Sequence, residues 1–277
     1  MGKLTAVFLA AALVGADRLQ VPGGEVTYET AGSGESVVFL HGAFMDRGAW
    51  DKQFSVFAKQ FRVVRYDIRP FGESSRPDKP YSAPDDLLRL VDHLQIARAH
   101  LIGHSFGGGV AIDFALVHPS RVASLTLVGA APSGFVGPAD EQKLVGAIFA
   151  AVKDGDDAIV NAWLKHPMWK ASQRRPDVLK AIESSTRRSL GAFRMTSAPF
   201  VALTPPAIGR LNEIKAPTLV VIGDNDTPGI RQASHLLAKQ IPGATLRTVN
   251  GADHALPLGW ADELNDAALR FISAARR

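Results

Sequence analysis

One short run in this 277-residue chain has the residue types and spacing to make a nucleophile: Gly103-His104-Ser105-Phe106-Gly107. A serine framed by glycines in this way suits a sharp strand-to-helix turn. Such a turn holds the hydroxyl exposed beside a helix N-terminus, where negative charge is favoured. The apolar Leu101-Ile102 before it and the helical pattern from Gly108-Gly109-Val110-Ala111 after it supply the matching context. A serine hydroxyl is a weak nucleophile at neutral pH and needs a positioned base, itself oriented by an acid. Of the eight histidines, only His254 falls after the last predicted strand and before the closing helix, so it is the expected base. The acid is expected in Gly223-Asp224-Asn225-Asp226, which follows a buried strand. Residue chemistry leaves Asp224 and Asp226 both open, because an aspartate after a strand commonly bonds its own turn. Asp253, next to the base, reads as a surface or turn residue.

Acyl transfer also needs two backbone N–H groups aimed at the developing oxyanion. Phe106, the residue after the serine, is expected to supply one. The second is expected from Ala43 in His41-Gly42-Ala43-Phe44, with Phe44 as the next choice. His41 is expected to pack and bond beneath that loop rather than act as a base.

These residues need strands and helices to bring them together. Thr27–Thr30 looks like a strand closed by the turn Ala31-Gly32-Ser33-Gly34. The continuous apolar runs Val37–Leu40, Val63–Tyr66, Ala99–Ile102, Leu125–Val128 and Thr218–Ile222 suit parallel strands covered on both faces. Thr245–Val249 is a further strand, and helices are predicted over Asp85–Leu94, Gly107–Val117 and Ala261–Ala274. This alternation predicts an α/β fold with a mostly parallel central sheet flanked by helices. The middle of the chain differs, with helical patterns over Glu141–Val152, Asp156–Leu164 and Pro176–Arg188 and no convincing strand. The expected organisation is a core over 17–132, a helical cap over 133–211 and the rest of the core over 212–277. The cap carries Phe149, Trp163, Met168, Trp169, Phe193 and Phe200. Trp163 and Trp169, either side of Lys165-His166-Pro167, are expected with Phe44 to meet substrate; the other reading of the two tryptophans is cap core.

Composition narrows the function classes. The hydrophobic fraction is 46% and the charged fraction 21%, as in water-soluble globular proteins, and there is no cysteine. A thiol nucleophile, a zinc–thiolate site and a disulfide framework are therefore excluded. The net charge of +4 is spread without a basic stripe, so no nucleic-acid partner is expected. No histidine pair has helix-face metal spacing, and Gly107-Gly108-Gly109 lacks the Lys-Ser/Thr of a phosphate loop, so neither metal nor cofactor is expected. Lys3, the apolar run Leu4–Val14 and the small residues Gly15-Ala16 have the layout of a short signal peptide over residues 1–16. The expected location is secreted or periplasmic, the alternative cytoplasmic. No segment is long and apolar enough to span a membrane.

The chain resembles the α/β-hydrolase superfamily. The resemblance rests on His41-Gly42 before Trp50, Tyr66-Asp67 with Gly72-Glu73-Ser74, the serine run with Gly108, Gly223-Asp224-Asn225-Asp226, and Asp253-His254. Within the superfamily it is most similar to the small esterases, 3-oxoadipate enol-lactonases and cofactor-free haloperoxidases. The family pattern G-x-x-D implies Asp226 rather than Asp224 as the acid, completing Ser105, Asp226 and His254. Two departures stand out: Arg69-Pro70-Phe71-Gly72 replaces the usual Arg-Gly-x-Gly, and Asp253 replaces a glycine before the base. The resemblance implies a serine hydrolase of a small carboxylic ester or lactone, with a small-molecule substrate. Carbon–carbon bond hydrolysis or perhydrolysis would reuse the same three residues, and a small-molecule receptor would reuse the fold.

Overall fold

The computed structural model describes residues 15–195 and 200–275. All but the last two residues of the expected signal segment, 1–16, lie outside the described residues. Eight strands form one sheet: β1 (Asp17–Val21), β2 (Gly24–Ala31), β3 (Ser36–Leu40), β4 (Arg62–Tyr66), β5 (Ala99–His104), β6 (Val122–Val128), β7 (Thr218–Gly223) and β8 (Thr245–Val249). Their spatial order is β1-β2-β4-β3-β5-β6-β7-β8. Only β1 with β2 and β2 with β4 pair antiparallel; the other pairs are parallel.

The helices are α1 (Asp51–Phe57), α2 (Ala83–His93), α3 (Phe106–Val117), α4 (Ala139–Ala150), α5 (Asp156–Leu164), α6 (Pro176–Arg188), α7 (Leu190–Phe193), α8 (Pro228–Gln240), α9 (Leu256–Gly259) and α10 (Ala261–Ala275). Every residue of β3, β5 and β7 is buried, which accounts for their unbroken apolar runs. α2, α3 and α8 pack on one face of the sheet, and α1 and α10 on the other. α2 starts where Ser82 accepts a hydrogen bond from the Asp85 N–H at 3.2 Å, with Pro84 in the first turn.

The apolar pattern of the sequence leaves β1 unmarked, along with α1, α8 and the short helices α7 and α9. β1 reads Asp-Arg-Leu-Gln-Val and is an edge strand exposed along most of its length, so its apolar signal is weak. α8 opens Pro-Gly, a pair that reads as a turn until the helix behind it is seen.

Between β6 and β7 lie α4 to α7, and no strand occurs there among the described residues. Ile148, Ile159, Trp163, Trp169, Val178, Ile182 and Phe193 from this stretch form a third apolar cluster with Met45, Ala49 and Ala255 of the core loops. The insertion is thus seated directly on the loops that leave the sheet. The parallel strands β3 to β8 all point their C-terminal ends to that same edge, where sites of open α/β sheets form. No helix among the described residues is long and apolar enough to cross a membrane.

Candidate active site

Ser105 stands between the last residue of β5 and the first of α3, with φ 50° and ψ −117°. A non-glycine residue in that region is strained and persists only where its surroundings impose it. Here the Ser105 N–H donates to the Val128 carbonyl at 2.9 Å, while its own carbonyl accepts from Gly108 and Gly109 at 2.9 and 3.1 Å. Gly107 admits the tight approach, since a Cβ there would come within 2.4 Å of the Leu40 carbonyl oxygen. The first N–H groups of α3, Phe106 among them, have no carbonyl within the helix to bond. Gly108 and Gly109 direct theirs to the Ser105 carbonyl, which leaves the Phe106 N–H to an anion forming at Ser105.

Asp226 follows β7 and His254 follows β8, and the two meet. His254 Nδ1–H donates to Asp226 Oδ2 at 2.8 Å, with both side chains buried. The other Asp226 oxygen accepts from the Thr227 N–H at 2.7 Å, so the carboxylate has little freedom to turn. Burial alone would push the His254 imidazolium pKa down. The charge and hydrogen bond of Asp226, helped by the charge of Asp253, outweigh burial and leave it above the ordinary value. Gly129, at φ 52°, lies against this pair: a Cβ there would sit 3.1 Å from His254 Nδ1 and 3.3 Å from Asp226 Oδ2. Asp224 is exposed, and its carboxylate accepts from the Gly251 N–H at 2.7 Å. The geometry therefore separates two aspartates that their spacing left equivalent.

Two further histidines buttress the site. His41 is fully buried; its Nδ1 donates to the Gly42 carbonyl at 2.8 Å and its Nε2 accepts from the Ile68 N–H at 2.9 Å. It packs and bonds beneath the first loop, as expected of it. His104 Nε2 donates to the His254 carbonyl at 2.8 Å, and the two rings are 4.7 Å apart. Burial, with the neighbouring His254, pushes the His104 pKa well down, so this ring is neutral. The hydrogen-bond chain runs from Asp226 through His254 to His104 and does not extend to the Ser105 hydroxyl among the described residues. Bonds of that kind are often long in resting sites and tighten in the reacting complex. Ser105 is beside the chain through Gly42, where a Cβ would be 3.3 Å from the Ser105 Cβ and 2.8 Å from His104 Nδ1.

The first loop turns sharply after Ala43. Phe44 has φ 57°, and the Met45 N–H reaches back to the Gly42 carbonyl at 3.3 Å. The Phe44 ring stacks on Phe193 at 3.6 Å and meets Trp163, Phe149 and Phe71 edge-on. Phe71 in turn meets Phe106 at 5.8 Å, so one aromatic series joins Phe44 and Phe106 to the insertion. Trp163 and Trp169 are 6% and 1% exposed and belong to the third apolar cluster. Trp169 also lies 5.7 Å from the His254 ring, whereas Trp163 packs on Phe44. The two tryptophans thus combine cap packing with contact to the site's loops. His166 Nδ1 accepts from the Met168 N–H, which places its proton on Nε2. That Nε2–H and the indole N–H groups of Trp163 and Trp169 are buried with no partner among the described residues.

Asp253 requires a correction. It is neither a surface nor a simple turn residue but fully buried, and it bonds to the insertion. Its Oδ2 accepts from the Ser172 N–H at 2.6 Å; its Oδ1 accepts from the Ser172 hydroxyl at 2.9 Å and the Ala255 N–H at 3.0 Å. The signal in the sequence was the departure itself, an aspartate where the family pattern has glycine.

Comparison with known proteins agrees with this fold. The family model of the alpha/beta hydrolase fold matches residues 35–205. The 2-hydroxy-6-oxo-6-phenylhexa-2,4-dienoate hydrolase of Comamonas testosteroni is 28% identical over 273 residues, covering 89% of this chain and 91% of that one. Among solved structures, the enol-lactonase from Burkholderia xenovorans LB400 superposes with a TM-score of 0.77 at 26% identity, over 93% of this chain and all of the other. Est816, described as an N-acyl homoserine lactone degrading enzyme, gives 0.75 at 27% identity, over 92% of this chain and all of the other.

Proposed function

This chain belongs to the alpha/beta hydrolase fold family, and from that premise we propose that it is a serine hydrolase that cleaves a small carboxylic ester or lactone through an acyl-enzyme. The observation that carries the reading is the buried Asp226–His254 hydrogen bond at 2.8 Å beside a serine held at φ 50° on a strand-to-helix turn. Ser105 Oγ attacks the substrate carbonyl carbon as His254 Nε2 takes its proton. Asp226 keeps the proton on His254 Nδ1 and stabilises the imidazolium. The N–H groups of Phe106 and Ala43 bond the oxyanion. When the tetrahedral intermediate collapses, His254 returns the proton to the leaving oxygen, releasing an alcohol or opening a lactone ring. A water, deprotonated by His254, then attacks the acyl-enzyme, and Ser105 leaves with the proton. The insertion over 133–211 acts as the cap, with Phe44, Trp163 and Trp169 against the substrate.

The two lactone-cleaving neighbours support lactones as the substrate class. The dienoate hydrolase supports carbon–carbon hydrolysis of a vinylogous diketone as a second reading with the same three residues. Turnover of short p-nitrophenyl esters, lactones and vinylogous diketones separates the two. Fluorophosphonate labelling followed by mass spectrometry tests the nucleophile. Ser105→Ala is expected to lose label and at least about a thousand-fold in kcat with the fold intact. Normal labelling of that variant would overturn the assignment.

A further inference from the structure

The geometry points to Asp253 as a positioning residue: its buried carboxylate clamps Ser172 of the insertion and thereby sets the peptide that carries His254. The inference rests on the reading of His254 as the base. A buried carboxylate is expensive unless its oxygens are bonded. Asp253 meets that demand with three donors, two of them on Ser172, 81 positions earlier in the chain. Bonds to a carboxylate are shorter and stronger than those between neutral groups, and the 2.6 Å contact to the Ser172 N–H is of that kind.

The clamp does not act alone. The His254 N–H donates to the Met168 carbonyl at 3.1 Å, from the same stretch of the insertion. Arg175 Nη1 donates to the Gly259 carbonyl a few residues on. On the core side, His104 Nε2 holds the His254 carbonyl at 2.8 Å. The His254 backbone is therefore gripped on its N–H by the insertion and on its C=O by the core. Asp253, one residue earlier, ties the first grip to residue 172. A glycine at 253, the residue the family pattern has there, could make none of the three side-chain bonds. In this chain the segment 166–175 and the base loop form one packed unit, so a displacement of the insertion displaces the base.

The clamp also carries charge. The titratable groups facing His254 are Asp226, Asp253, His104 and His166. Asp226 is bonded to the ring, the two histidines are neutral at working pH, and Asp253 adds a second negative charge. Its charge helps hold the His254 imidazolium above its ordinary pKa. A purely structural Asp253 could be replaced with loss of stability alone. A positioning Asp253 must also show in kcat and in the pH profile of the base.

The test uses the full chain, with active sites counted by fluorophosphonate labelling to completion. Asp253→Asn keeps an acceptor for the Ser172 hydroxyl but loses the charge and the match to the Ser172 N–H. We expect kcat per labelled site to fall about ten-fold with KM within about two-fold, below the hundred-fold that a 1 Å displacement of a reacting group costs. The acid limb of kcat/KM should move to lower pH, because His254 is then easier to deprotonate. Ser172→Ala removes one bond and leaves the charge, so kcat should fall several-fold with the acid limb unmoved. Unchanged kcat and an unmoved limb in Asp253→Asn, with only a lower Tm, would reduce Asp253 to a structural residue. If Asp253→Asn does not fold, an unchanged kcat in Ser172→Ala overturns the inference by itself. Should Ser105→Ala instead keep its label, the reading of the whole site fails, and that outcome is distinct from either of these.

Discussion

The core rim and the helical insertion hold their parts of the site by different means. On the rim, Ser105 follows β5 directly, and Asp226 and His254 follow β7 and β8 within a few residues. Their backbones are fixed by bonds to neighbouring strand ends, such as Ser105 N–H to Val128 and Asn225 N–H to Ala252. The insertion instead offers Trp163, Trp169, Phe149 and Phe193, held mainly by ring-on-ring packing in a cluster shared with Phe44. Its polar ties to the core include Ser172 to Asp253, the Met168 carbonyl to the His254 N–H, Arg175 to the Gly259 carbonyl, Arg188 to Asp46 at 2.5 Å and the Ser189 hydroxyl to the Met45 carbonyl at 3.0 Å. A rim residue can therefore be replaced with its surroundings left in place, whereas a change in the insertion spreads through packed rings. On the proposed function, chemistry would belong to the first region and selectivity to the second.

The strongest way to break that division is at the two aspartates. Asp226→Asn is expected to lower kcat on a reactive ester by about a thousand-fold or more, since the wrong histidine tautomer is then stabilised. Asp224→Asn removes an exposed charge while its amide oxygen can still accept from the Gly251 N–H, and it should cost less than about ten-fold. Steady-state kinetics on one ester decide the matter, and a larger loss in Asp224→Asn would place the acid elsewhere in the turn.

The insertion is probed by Trp163→Ala and Trp169→Ala. Either should shift the ratio of kcat/KM between short and bulky esters by roughly ten-fold, about 1.4 kcal/mol of differential binding. Uniform loss across the panel, or loss of stability alone, would make the rings cap core. Selectivity would then fall to Phe44, Phe71 and Phe106 on the rim.

The smallest effect is expected where the two regions join away from the chemistry. Asp113, on α3, is buried and accepts from the Ser133 hydroxyl at 2.9 Å. Burial pushes its pKa up to about 6, against the opposing pull of Ser133 and Arg210. A carboxyl whose folded pKa is raised favours folding in its protonated form. Its contribution is present below the unfolded value of about 3.9 and is lost as pH rises through about 6. Asp113→Asn should therefore raise Tm by a few degrees at pH 8, for about 1–2 kcal/mol, and change little at pH 4. Equal Tm shifts at both pH values would show that ionisation of Asp113 is not the cause.

Much of the rim was legible from residue order alone. Unbroken apolar runs marked β3, β5, β6 and β7, because a parallel strand buried on both faces needs an apolar side chain at nearly every position. The serine between its glycines, and a histidine placed between the last strand and the closing helix, were local patterns of the same kind. The weakly apolar edge strand β1 was not legible, because edge strands carry little burial to mark them. Nor could spacing choose between Asp224 and Asp226, two residues apart in one turn. That choice depends on which carboxylate reaches the His254 ring, and the separation of Asp226 from His254 along the chain says nothing of it. Asp253 shows the same limit more sharply. Next to the base in sequence, it read as a turn residue, yet its partners are 81 positions away on Ser172. Local pattern reports what a residue does for its own strand or helix. A buried polar side chain answers to whatever the fold packs against it, and only the tertiary structure brings the insertion down onto the histidine loop.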